Sequence, residues 1–196
     1  HVIGQLWAGA EKETDEECDG RLIIHRLPLV DWTSFQPCQV SPAIKSKVSK
    51  KLFKSDFYPQ CFSWQASLLA EKLIEEEGID VIEAQEFEAP LYYFQLRRAI
   101  GLGPKVYPPC IVHLHSPMEF IVRFNGWDIG NPYFLTAKRL EDYSIAAADA
   151  VICPSQYLAR QAAVHYGLAE GRISIIPHPL GESSFLPRNK DTWGDG

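Results

Sequence analysis

One arrangement constrains this chain more than any other, and it occurs twice: an amphipathic helix, an aspartate, then a short β-branched strand. In the first copy Leu69, Ala70, Leu73 and Ile74 recur at helical spacing, Gly78 supplies a stop, and Asp80 leads into Val81-Ile82. In the second copy a helical pattern over residues 139–148 runs into Asp149 and then Val151-Ile152-Cys153. Each copy is the helix-to-strand half of a strand–helix–strand unit. Two such halves imply a parallel sheet whose strands are buried on both faces.

The rest of the pattern agrees. Strands are predicted at 21–27, 110–115 and 173–177, and helices over 89–100 and 155–166, the last with Ser155 as N-cap and Gly167 as C-cap. The fold class is therefore α/β: a Rossmann-like, doubly wound, mostly parallel sheet. A length of 196 residues suits one domain. The predicted division is a domain over 1–180, an irregular excursion within it at 28–60, and a linker or tail at 181–196. The chain opens inside an apolar run without an initiator Met, which reads as a chain cut from a longer one.

A net charge of −6 argues against non-specific nucleic-acid binding, which needs clustered cations. No apolar run reaches the roughly 18 residues of a membrane span, and the N-terminus lacks the pattern of a signal peptide. The five cysteines include no C-x-x-C pair, so neither a disulfide framework nor a zinc site is supported. Cys110 and Cys153 read as small hydrophobes in strands. A cytoplasmic location follows.

Ligands of open parallel sheets bind beyond the carboxyl ends of the strands. Four predicted ends are polar: Gln85-Glu86, His113 to Ser116, Pro154-Ser155 and Pro177-His178. His113 and His115 lie two apart and share a face. Three readings stand for them: satisfied structural histidines, a hydrogen-bonding or acid/base group at His115, and a metal pair for which the sequence names no third ligand. Glu86 reads as a contact to sugar hydroxyls or a base, or as a charge favoured at the next helix N-terminus; Glu88 reads as the latter. In residues 118–127, Glu119 and Arg123 stand among aromatics and Asn125, a mixture that suits carbohydrate and equally suits core packing. Lys45, Lys47, Lys50, Lys51 and Lys54 read as a solvated run, or as a site for a phosphate-bearing acceptor or peripheral membrane contact. G-x-G-x-x-G, P-loop and G-x-S-x-G motifs are absent from the sequence.

The ordered set Ile79 to Glu86, Ile111 to Pro117, Ala148 to Leu158, Tyr166-Gly167-Leu168 and Arg172 to His178 resembles the N-terminal domain of the family 4 (group 1) retaining glycosyltransferases. These have the GT-B fold, two Rossmann-like domains facing across a cleft. The resemblance spans most of residues 1–180, and its strongest part is Ala148-Asp149-x-Val151-Ile152-x-x-Ser155 followed by Ile173-x-x-Ile176-Pro177.

It implies an acceptor-side domain of an enzyme that moves a sugar from a nucleotide-diphosphate sugar to a carbohydrate or lipid-linked acceptor with retention. His115 matches the family histidine that contacts the transferred sugar or acceptor near the reaction centre. Glu86 matches an acidic or polar acceptor contact, and Ser155 a helix-capping serine that sometimes lines the site. With Ser116, Glu119 and Arg123 these complete the expected substrate-binding set. No metal and no cofactor beyond the donor co-substrate are expected. The resemblance further implies that the family's first strand, its glycine-rich phosphate loop and the donor-binding C-terminal domain are expected to lie outside this chain, and Pro177-His178-Pro179 replaces a common Pro-Asn-Gly. Such a fragment is expected to be inactive alone. The alternatives are a non-catalytic glycan- or partner-binding half-domain and, more remotely, a metal-dependent hydrolase using His113 and His115.

Overall fold

Seven short strands and five helices occur among residues 1–6, 10, 12–27, 59–169 and 171–179, which the computed structural model describes. Strands β1 (Val2–Gln5), β2 (Thr14–Glu17) and β3 (Leu22–Leu27) come first, followed by helix α1 (Pro59–Glu77). Strand β4 (Ile82–Gln85), helix α2 (Tyr92–Ala99) and strand β5 (Cys110–His113) follow. Helices α3 (Met118–Asn125) and α4 (Pro132–Ala147) then lead to strand β6 (Ala150–Cys153), helix α5 (Gln156–Tyr166) and strand β7 (Ile173–Ile175).

The strands β4-β5-β6-β7 form a wholly parallel sheet in chain order. Its inward residues Val112, Leu114, Val151 and Cys153 pack with Phe94 of α2, Ile145 of α4 and Ala162 of α5. Cys110 and Cys153 are free thiols without exposed surface, as small hydrophobes should be. At the amino edge the Asp149 carboxylate accepts from the Cys110 N–H at 2.7 Å and from the Arg98 guanidinium at 2.7 Å. The aspartate of the second repeat thus joins two strands to a helix.

The helix ends follow sequence chemistry. Ser155 accepts from the Leu158 N–H at 3.2 Å, and Asn131 accepts from the Tyr133 N–H at 2.9 Å ahead of Pro132. Gly126 and Gly167 close α3 and α5 in the left-handed region, where a side chain would be strained. Helices α1 and α4 both start earlier than periodicity predicts. In α1 the added turns bury Ser63, Gln65 and Ser67 beside Trp64, so no apolar stripe announces them. Pro59 and Gln60 belong to this helix rather than to the excursion; residues 28–58, with the lysines at 45–54, lie outside the described residues, as does the tail at 181–196.

The expected single sheet is two sheets. Strand β3 pairs parallel with β1 and antiparallel with β2, in the order β1-β3-β2. Strand β2 reads Thr-Asp-Glu-Glu, too polar for the pattern to reveal; the Arg26 guanidinium meets Asp15 at 2.5 Å and holds it in register. Strands β1 and β4 each end their sheet's order. Residues 2–5 and 79–85 line, without interruption, a cleft of about 900 Å³. Successive strand residues point to opposite faces, so such continuous lining places the edges of β1 and β4 along the cleft.

Candidate functional site

Because β4 to β7 are parallel neighbours, their carboxyl ends share one edge. Ladder contacts continue past the strands: the Glu86 N–H donates to His113 O at 3.1 Å, Leu114 to Ile152 O at 2.8 Å, and Ile176 to Cys153 O at 2.9 Å. The four polar ends named from sequence therefore stand side by side.

Three histidines meet there. The rings of His113 and His115 lie 4.2 Å apart, as two residues sharing a strand face should. His178 stacks on His115 at 4.9 Å and stands 5.7 Å from His113. Sequence reasoning missed this third member. It marked Pro177-His178 as a polar strand end, but β7 lies two strands from β5, roughly 9.5 Å away at ordinary strand spacing. The chain after β7 leans back over β6, and no local pattern announces that. Glu83 Oε1 lies 3.3 Å from His113 Nδ1. Burial holds the His113 pKa below its ordinary value, helped by His115 and opposed by Glu83. His113, His115, Glu83 and Gln85 all line the 900 Å³ cleft.

Glu86 does not face this cleft as an exposed carboxylate. It has no exposed surface, and its Oε1 accepts from the backbone N–H groups of His115, at 2.8 Å, and Ser116. Burial raises its pKa against these hydrogen bonds. Its role is geometric: it fixes the turn that presents His115 and Ser116.

Glu141 does the same one step away. From α4 it accepts the Met118 N–H at 2.7 Å, at the start of α3, and the Glu88 N–H at 3.0 Å, in the β4–α2 turn. Burial pushes its pKa up to about 8. The turn it secures is strained: Glu88 and Ala89 have φ of 60° and 49°, left-handed values that cost non-glycine residues on the order of 1–3 kcal/mol each. Glu88 is accordingly not a helix N-terminal charge on α2; its carboxylate accepts from the Tyr133 hydroxyl of α4. Sequence periodicity could not find Glu141, which is a polar residue on a buried helix face.

The other expected residues divide. Ser116 is exposed beside His115, and Ser155 is exposed at the tip of β6 while capping α5. Glu119 turns toward α4, with its carboxylate 3.7 Å from Lys138 Nζ. Arg123 is exposed on α3, a turn beyond Glu119. The aromatics of residues 118–127 split as well: Phe120 is buried in the core, whereas Phe124 and Trp127 are exposed.

A parallel sheet whose strand tips carry convergent polar groups suits ligand binding at that edge. The profile described as Glycosyltransferase Family 4 matches residues 8–180. The chain belongs to glycosyltransferase family 4. The family's α/β architecture agrees with the four-stranded parallel sheet flanked by helices, and its members act on a sugar donor and an acceptor. A search of curated proteins finds no match. Among the described residues no helix is long and apolar enough to cross a membrane.

Proposed function

We propose that this domain, residues 1–180, forms the acceptor side of a nucleotide-diphosphate-sugar-dependent hexosyltransferase of the carbohydrate-biosynthetic type, acting with retention in the cytoplasm. A separate donor-binding domain, joined through residues 181–196, would complete the cleft. The observation that carries the reading is the convergence of His115, Ser116, Ser155 and His178 on one sheet edge, in a chain whose family transfers sugars.

In this reading His115 contacts the sugar hydroxyls or the acceptor oxygen at the reaction centre. The turn that holds His115 is clamped by Glu86. A clamped donor costs little reorganisation when charge develops in the transition state, which is how preorganised polar groups lower a barrier. Ser116 and Ser155 offer hydroxyls along the same edge, and the exposed Arg123 would contact the outer part of an acceptor, whereas Glu119, turned toward Lys138, supports α3 against α4.

The test is transfer by the complete enzyme. Given a panel of nucleoside-diphosphate hexoses and a mixture of sugar acceptors, it should release nucleoside diphosphate and yield a glycoside with the anomeric configuration of the donor. An inverted product would refute retention. A protein that binds the acceptors but consumes no donor would favour the binding half-domain instead.

A further inference from the structure

The transfer reading draws on His115 and His178 one at a time, but with His113 they also form a three-histidine cluster. One ring nitrogen from each of the three lies within 4.8 Å of the others. We infer that these histidines form a binding site for a divalent transition metal of the zinc class, with the fourth position open toward the cleft.

Four observations carry this. First, three imidazoles are a ligand set zinc takes readily, and three protein ligands plus one open position characterise its reactive sites. The pair His113 and His115 alone would be one ligand short; His178 supplies it. Second, the spacing is close to what coordination needs. Zn–N bonds of about 2.0–2.1 Å in a tetrahedron put ligand nitrogens about 3.3 Å apart, so the cluster must close by about 1.5 Å at most.

Third, the movable member is the right one. His115 and His178 stack with an interplanar angle of 15°, so one ring must rotate before both aim at one ion. Both side chains are exposed, with room to turn. Fourth, His113 is prepared as a ligand. Glu83, diagonally across the β4–β5 pair, engages its Nδ1 at 3.3 Å, while its Nε2 is buried without a hydrogen-bond partner among the described residues. A carboxylate on one nitrogen leaves the other free for a metal and orients the ring, the usual outer support of zinc-bound histidine.

The bound ion would present its open position to water or to an oxygen of an anionic ligand in the cleft. The metal site shares His115 and His178 with the proposed transfer site, but metal binding is read without turnover, so either can fail while the other stands.

The experiment is equilibrium titration of chelator-stripped protein with ZnCl2, with Co2+ absorption to report the ligand field and MgCl2 as the oxygen-seeking comparison. The expected result is one zinc per chain, tetrahedral-type Co2+ bands and no Mg2+ competition. His178→Ala, at an exposed position, should remove the site while leaving far-UV circular dichroism unchanged. Glu83→Gln should weaken zinc by roughly 10- to 100-fold, the effect of losing an outer-shell partner. Zinc bound well below one per chain would overturn the proposal. So would zinc affinity indifferent to both His178→Ala and Glu83→Gln, which would place the ion elsewhere.

Discussion

Arg97→Ala is expected to lower the unfolding free energy by about 3–5 kcal/mol, the cost of leaving a buried charge without its partner. Arg97 on α2 donates to Glu71 on α1 through Nε at 2.6 Å and Nη2 at 2.9 Å. The two side chains are only 6% and 3% exposed, so water cannot replace either partner. The guanidinium also lies 5.4 Å from the centre of the Trp64 ring, which adds packing that alanine loses. Gly103 leaves this pair its space: a Cβ there would stand 2.8 Å from Glu71 Oε1, at a φ of +106°. Chemical denaturation with a two-state fit measures the loss. The double variant Glu71→Met/Arg97→Met should recover most of it, because an apolar pair of similar volume carries no desolvation cost. If Arg97→Ala unfolded at the parental midpoint, the pair would not be what joins α1 to α2.

The second large effect is a pH dependence located at Glu141. Its folded pKa, about 8, lies above the ordinary 4.5, so between these values the folded state holds a proton that the unfolded state has released. Stability from this group is therefore fully present below pH 4.5, declines as pH rises, and is lost above about 8. At about 1.4 kcal/mol per pH unit the whole interval amounts to on the order of 5 kcal/mol. His113 and His25, with pKa values held low by burial, act in the opposite direction at the acid end. The difference between parent and Glu141→Gln isolates the carboxyl. Denaturation at pH 5, 6, 7, 8 and 9 should show the variant gaining on the parent steadily up to about pH 8 and then holding level. A difference independent of pH would mean that Glu141 is ionised throughout, held so by the Met118 and Glu88 N–H groups.

How much of this was legible follows from where the signals live. The parallel sheet was readable because buried parallel strands are short apolar runs, and those runs alternate with helices whose stops are glycines, as at Gly78 and Gly167. The edge carrying the site followed from the same logic, since the carboxyl ends of parallel neighbours coincide, and His115 sits at one of them. Strand β2 was not legible, because Thr14 to Glu17 owe their strand conformation to pairing with β3 rather than to their own pattern. The division into two sheets depends on which edges pair across the chain, which no local period encodes. Glu86 and Glu141 were misjudged or unseen for one shared reason. A carboxylate looks like a surface group in sequence, and only the backbone N–H groups of a distant turn make it a buried clamp. His178 joined His113 and His115 through a loop leaning across one strand, a long-range event of the same kind.

On the proposed function, sugar transfer takes place at the carboxyl edge of the four-stranded sheet. The most direct measurement is the kcat of the complete enzyme for nucleoside-diphosphate release in the presence of acceptor, compared between His115→Ala at that edge and Arg172→Ala at the opposite one, where Arg172 bonds the Ala148 and Asp149 carbonyls. His115→Ala should lower kcat by roughly 10²- to 10⁴-fold, the range for losing a positioned polar or proton-transfer group, while Arg172→Ala stays close to the parent. Near-parental turnover in a folded His115→Ala protein would contradict the account.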